Sequence, residues 1–188
     1  MATIRRMRAD DIKDVEYVCR MTAGEKSIND EAVGRLMSSM FSTYYARECY
    51  DSCFVLVDDT DKVVGYLLCE PDYRRFSKIF RKVDVPQIYK LEKKAGIRCW
   101  FFPVPYSLMG WKYPAHLHID LLPEYQNGGY GSKMMQMLLD DLKVKNVKGL
   151  MLIAGAWNTG AIRFYKRNGF KMIFNRLGEA VMAIDLTK

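Results

Sequence analysis

Long hydrophobic runs are missing from this chain: no stretch approaches the roughly 20 apolar residues that a membrane-spanning helix needs. The opening MATIRRMRADD also lacks the apolar centre of a secretory leader. The expectation is a cytoplasmic protein with no membrane role. Histidine is scarce, with His116 and His118 alone, and the five cysteines (Cys19, Cys49, Cys53, Cys69 and Cys99) never fall in a CxxC pair. That pattern disfavours a metal site and predicts buried, reduced thiols. Neither GxGxxG after a strand nor GxxxxGK[ST] occurs, which weakens any dehydrogenase or P-loop reading. There is no internal repeat and no low-complexity tract. What remains is a chain of 188 residues, 49% hydrophobic, which is long and apolar enough for one domain, residues 1–188, with a well-buried core. Its 29 Lys and Arg against 22 acids give a formal charge of +7, which suits anionic partners.

Periodicity sets the order of elements. ATIRRM reads as a short strand, after which Asp10 and Asp11 open an amphipathic helix with Ile12, Val15, Val18 and Cys19 on one face. Asn29 or Asp30 is placed to cap a second helix running through Ala32, Leu36, Met37, Met40 and Tyr44. CFVLVDDTDKVVGYLLCE is a hairpin around DDTDK. AHLHIDLL is a strand, and a helix follows it with Met135, Leu138, Leu139 and Leu142 at helical spacing. GLMLIAGA is a continuous apolar run suited to a central strand. A helix capped by Asn158 or Thr159 runs to Arg167, and FKMIF and EAVMAIDL are closing strands. The order βααββ, insertion, βαβαββ predicts an α/β fold with a mixed sheet covered by helices.

PEYQNGGYGSKMM places Gly128, Gly129 and Gly131 at the mouth of a helix, where glycine is costly to order. Between a strand and a helix, such glycines let backbone amides converge on an anion at the helix N-terminus. A tight left-handed turn that binds nothing is the plainer alternative for a glycine cluster taken alone. The stretch resembles the Q/R-x-x-G-x-G/A signature of the GNAT acetyltransferase superfamily, filled by Gln126, Gly129 and Gly131. A second stretch, NTGAIRFYKRNGF, resembles that family's N-x-x-A-x-x-F/L-Y-x-x-x-G-F, with Asn158, Ala161, Phe164, Tyr165, Gly169 and Phe170 in place. The opening IRRMRADDIKDV also looks like the family's first strand and helix. YPAHLHIDLLPEYQ behind a basic, aromatic insertion is similar to the acetyltransferase-like domains appended to O-GlcNAc hydrolases.

The resemblance implies a mostly antiparallel GNAT sheet in which the strand ending near Leu122 and the strand GLMLIAGA splay apart to admit acetyl-CoA as acyl donor, with no metal. It implies that the backbone of Gln126, Asn127, Gly128, Gly129, Tyr130 and Gly131, with the Ser132 hydroxyl, holds the pyrophosphate. Leu121 takes the position whose amide polarises the thioester carbonyl. Asn158 and Tyr165 stand two helical turns apart on one face, where Asn158 would bond the pantetheine and Tyr165 would protonate the leaving thiolate. A core tyrosine with a satisfied hydroxyl is the alternative for Tyr165.

The strand A-H-L-H-I-D-L carries a clue of its own. Leu117, Ile119 and Leu121 fall on one face and His116, His118 and Asp120 on the other. A central strand covered on both sides should be apolar throughout, so the polar row is either a satisfied buried network or the wall of a cleft, and the cleft is favoured. An amine acceptor with a pKa near 10.4 pays about 4.6 kcal/mol to lose its proton at pH 7, and an α-amine near 7.8 only about 1. Asp120, nearest the reacting end, is the first choice of base and His118, directly or through water, the second.

Residues 71–113 hold ten Lys or Arg against three acids, and ten of the 24 aromatics. Tyr73, Phe76, Ile79 and Phe80 recur at helical spacing, and Ile88 with Leu91 marks a second helix before Gly96. The reading is a helical cap with solvated lysines, in preference to a nucleic-acid surface, with Trp100, Phe101, Phe102 and Trp111 roofing an acceptor pocket. The implied activity is acetyl transfer from acetyl-CoA to a primary amine of a small molecule or peptide, by direct attack in a ternary complex. A silent acetyl-CoA-binding or protein-interaction module of the same fold is the alternative. A basic cap favours neutral or anionic amines over polycations, and a homodimer stays open.

Overall fold

A computed structural model describes residues 2–176 and 178–187. Seven strands form one sheet: β1 (Thr3–Arg6), β2 (Phe54–Val57), β3 (Val63–Glu70), β4 (Ala115–Leu121), β5 (Gly149–Gly155), β6 (Lys171–Arg176) and β7 (Glu179–Asp185). Their order is β1-β2-β3-β4-β5-β7-β6, and every neighbouring pair is antiparallel except β4 with β5. The predicted mixed, mostly antiparallel sheet is therefore present.

Four helices, not two, join β1 to β2: α1 (Ile12–Thr22), α2 (Glu25–Asn29), α3 (Glu31–Phe41) and α4 (Thr43–Glu48). Asp30 caps α3, accepting from Ala32 N at 2.8 Å. The long second helix that was expected breaks at Ser42, whose hydroxyl turns back onto the Ser38 carbonyl at 3.1 Å. Asp11 does not cap α1 with its side chain either. Its carboxylate is taken by Arg5 through two bonds of 2.7 and 2.8 Å, which ties the helix start to β1.

Between β3 and β4 the chain forms α5 (Tyr73–Ile79), a π-turn (Phe80–Asp84), α6 (Val85–Leu91), α7 (Lys93–Phe101) and α8 (Val104–Met109). The second helix expected before Gly96 is α6, and Gly96 itself lies inside α7; a side chain there would strike the Tyr89 backbone at 2.6 Å, so its absence lets α6 and α7 pack closely. Phe76 is the pivot of this segment, with its ring 4.8 Å from both Tyr44 and Phe80 and 4.6 Å from His116. Completing the chain are α9 (Tyr130–Val144) and α10 (Thr159–Arg167).

The sheet separates two main cores. Val55, Val57, Tyr66 and Leu68 face α1, α4 and the segment after β3. Leu56, Leu67, Leu117, Leu150 and Met182 face α9 and Tyr165 of α10. Tyr106 of α8 and Tyr113 cover Met151, Val181 and Ala183 in a smaller third cluster. The five cysteines are all free and buried, as expected. Among the described residues no helix is long and apolar enough to cross a membrane, and no group of three His, Cys, Asp or Glu side chains is gathered to hold a metal.

Candidate active site

The parallel strands β4 and β5 pair only at Ala115–Leu150 and His116–Met151, then part. Beyond that point the β5-facing edge of β4 carries unpaired backbone. Leu122 N donates to the Val64 carbonyl at 2.9 Å. By the alternation of an antiparallel ladder, the amide of Leu121 then points the other way, into the opening. Gln126 Nε2 donates to the Leu121 carbonyl at 2.8 Å and fixes the end of the strand. Leu122, expected to meet the cofactor, has its amide committed to β3.

Below the opening the chain turns through Pro123–Tyr125 into the glycine stretch. Gln126 N is bonded to the Pro123 carbonyl at 3.2 Å, which removes it from the expected set of anion-binding amides. No backbone acceptor serves the amides of residues 127–132 among the described residues. Asn127 and Gly129 sit at φ 61° and 79°, a left-handed region in which a β-carbon is strained. No atom lies within 4 Å of where a Gly129 Cβ would stand, whereas a Gly131 Cβ would press on the Phe164 ring at 3.2 Å. Gly129 thus answers to backbone conformation and Gly131 to the close approach of α9 and α10. The open cradle of free amides at the start of the 15-residue α9 fits a pyrophosphate. Tyr130 is partly buried beside it, and the Ser132 hydroxyl receives Asn168 Nδ2 at 3.3 Å.

Asn158 caps α10 by accepting from Ala161 N at 3.0 Å, which leaves its Nδ2 for another partner. One face of α10 carries Tyr165 inward, 8% exposed, with its ring edge-on to Phe164 and Phe170. Its hydroxyl has no hydrogen-bond partner among the described residues. Burial, and then the charge of Asp120, push its pKa up, so it is a protonated donor at neutral pH. Tyr165 packs with Leu117 on the α9 side of the sheet, and Asp120 projects from the opposite face of β4 beside Tyr66.

The polar row on β4 is in place and it is not a satisfied network. Among the described residues neither ring nitrogen of the fully buried His116 has a hydrogen-bond partner, nor has His118 Nε2 or the Tyr45 hydroxyl. His118 packs 5.2 Å from the Tyr45 ring and 5.7 Å from Phe41, and burial drives its pKa down to about 4. Asp120 differs: Tyr66 donates to its Oδ2 at 2.6 Å, and burial outweighs that bond to push the carboxyl up to about 6. At pH 7 Asp120 is an anion within reach of protonation, and His118 is neutral and a poor base. Tyr66 went unnoticed in the sequence. It is a single hydroxyl in an apolar strand, and only the register of β3 with β4 sets it opposite Asp120.

The expected aromatic roof is absent. Trp100, Phe101 and Trp111 are 52%, 61% and 73% exposed, because Phe76, Phe80, Ile88 and Tyr106 already fill the inward face of their segment. Phe102 alone turns in, with its ring 6.3 Å from that of Phe41.

Residues 21–170 match the profile of the Acetyltransferase (GNAT) family. The crystal structure of SsHAT is similar over 100% of this chain and 99% of its own, at 27% identity and a TM-score of 0.87. PaiA N-acetyltransferase from Thermoplasma acidophilum, in complex with coenzyme A, shares the fold at 13% identity and a TM-score of 0.62, with 98% and 99% of the chains covered. The ribosomal-protein-S18-alanine N-acetyltransferase from Escherichia coli does so at 17% identity and 0.58, with 100% and 96% covered.

Proposed function

Because the chain belongs to the GNAT acetyltransferase family, we propose that it moves the acetyl group of acetyl-CoA onto a primary amine of a small molecule or peptide, by direct attack with both substrates bound. We read residues 1–188 as one domain of this kind, working in the cytoplasm. The observation that carries the reading is the splay of β4 from β5 beyond His116–Met151, with the Leu121 amide directed into it.

Acetyl-CoA supplies an acetyl thioester, an acyl group activated for attack. The amides of residues 127–132 receive its pyrophosphate, and Asn158 Nδ2 is free to orient the pantetheine. The Leu121 amide donates to the thioester carbonyl oxygen, whose negative charge grows as the amine adds; such preorganised donors are worth about 3–4 kcal/mol. Asp120 accepts the amine proton, for which a pKa near 6 suits neutral pH. Tyr66 holds the carboxylate at one oxygen and leaves the other to the substrate. Tyr165 delivers its proton to the departing sulfur and recovers one as the products leave. The sum is one amide N–C bond formed, one thioester C–S bond broken, and one proton passed from nitrogen to sulfur.

The test separates binding from turnover. Acetyl-CoA at 100 times its dissociation constant adds about 2.7 kcal/mol of stability, and Gly129→Asp, which sets a carboxylate in the cradle, abolishes the resulting rise in Tm. With a panel of neutral and anionic amines, CoA production follows by chromatography. No rise in Tm refutes the site. A normal rise with no CoA formed from any amine makes the protein a silent acetyl-CoA-binding module.

A further inference from the structure

We propose that the helical segment between β3 and β4 is a docking track for an acidic, unfolded stretch of a partner protein that carries one large apolar residue beside its acids. An open groove of about 660 Å³ lies on this segment. Four cations, Arg74, Lys78, Arg81 and Lys82, line it with no acid among them. None of the four forms an ion pair among the described residues, although Arg47 and Arg75 nearby are bonded to Asp84 and Glu70. The track is therefore an uncompensated positive surface.

Part of it is already fixed in position. Arg81 Nε donates to the Trp100 carbonyl at 2.9 Å, so the guanidinium is held while both terminal nitrogens stay free for a carboxylate. The Tyr73 ring lies where a Gly110 side chain would be, 2.1 Å from that Cβ position, which pins another wall. Trp100 is shared with a second cavity of about 450 Å³, lined by Val85, Pro86, Tyr89, Ile97 and Phe101. There the exposed Ile97 and Phe101, 56% and 61% accessible, flank a concave apolar surface.

This adjacency selects the occupant. Arg74 to Lys82 span eight residues of helical chain, about 12 Å, the length of about four residues of extended peptide. In an extended acidic stretch of that length alternate carboxylates face the cations while the others stay in solvent, and a large side chain just beyond them reaches the apolar cavity. A single-stranded nucleic acid fits less well, because the apolar cavity offers few polar groups to base edges and lies open to one large side chain.

The probe is a fluorescein-labelled peptide of four glutamates followed by glycine and phenylalanine, titrated by anisotropy against the full chain. Binding is expected at 50 mM salt, weakening about tenfold by 300 mM as screening shortens the reach of the charges. Lys78→Glu with Arg81→Glu abolishes it. Ile97→Ser with Phe101→Ser weakens it by about tenfold, to the level of a peptide with serine in place of phenylalanine, and that second peptide is indifferent to the apolar substitutions. All four positions border exposed cavities, and unchanged thermal melts confirm that the variants fold. No binding at 1 mM peptide, or binding that ignores both pairs of substitutions, overturns the proposal. So does tighter binding of a ten-nucleotide oligouridine, which assigns the track to nucleic acid, or equal binding of tripolyphosphate, which reduces it to a small-anion site.

Discussion

Two carboxylates, the buried Glu70 and the half-buried Asp120, stand at opposite ends of the β3–β4 ladder, and the fold treats them differently. Glu70, opposite His116, is saturated: its Oε2 accepts from the Tyr44 hydroxyl at 2.6 Å, Arg75 at 2.7 Å and the Cys49 thiol at 3.0 Å, and its Oε1 from Asp72 N at 3.0 Å. Asp120, opposite Tyr66, has that one donor. The first is a clamp that joins α4 and α5 to the sheet and has little capacity left for chemistry. The second is held just enough to be aimed. A buried charge with full bonding serves structure, and one with partial bonding is available to a substrate.

The difference can be broken at either end. Replacing Asp120 by Asn lowers the rate of acetyl transfer by about a hundred- to ten-thousandfold, the usual worth of a positioned base, with acetyl-CoA binding retained by calorimetry; an unaltered rate removes Asp120 from the chemistry. Glu70→Ala acts on the other quantity. It leaves the buried Tyr44 hydroxyl without its acceptor and costs about 1–3 kcal/mol in urea unfolding, while Arg75 keeps Glu48 and turnover per folded molecule stays within about twofold. A large loss of turnover without a loss of stability reverses the assignment.

The pH dependence sharpens the contrast. Asp120 holds its proton more tightly when folded, near 6, than at its ordinary value of 3.8. Its contribution to stability is therefore fully present below pH 3.8 and lost as pH rises through 6, by up to about 3 kcal/mol. Asp120→Asn removes this term, and the stability of the variant minus that of the wild type, measured by denaturation from pH 4 to 7, rises over that window. His118 opposes it, since its depressed pKa makes the fold lose stability as pH falls from 6.5 towards 4; the subtraction is needed for that reason. The smallest effect is that of Tyr66→Phe. Its hydroxyl lowers the Asp120 pKa, so its loss moves the acid limb of the rate profile upward by about one unit. A downward shift would mean that the hydroxyl serves the protonated form.

Much of this was legible in the sequence because it depends on local pattern. The alternation of AHLHIDL set His116, His118 and Asp120 on one face, and the glycines announced a helix mouth whose amides are free. Helical spacing put Asn158 and Tyr165 on one face, but only the family resemblance of NTGAIRFYKRNGF gave them roles. What was hidden depends on register or on competition. Tyr66 acquires its role from the strand opposite it, and Asp11 is a cap by position but a partner of Arg5 by contact. In the segment after β3 both faces of the helices are aromatic, so periodicity alone did not tell Phe76 and Phe102, which turn in, from Trp100 and Trp111, which do not. The break at Ser42 is a single side-chain bond within an otherwise continuous helical pattern.

The five buried cysteines have a practical consequence. Each is no more than 3% accessible, and burial raises the thiol pKa in every case, to about 11 for Cys19 and about 12 for Cys53. Alkylating and disulfide-exchange reagents attack the thiolate and need access to it. The folded protein should be inert towards a chromogenic disulfide such as dithionitrobenzoate, so that the free sulfhydryl of each CoA released can be counted in real time against a silent background. Any slow colour in the absence of acetyl-CoA then becomes a gauge of transient opening of the fold.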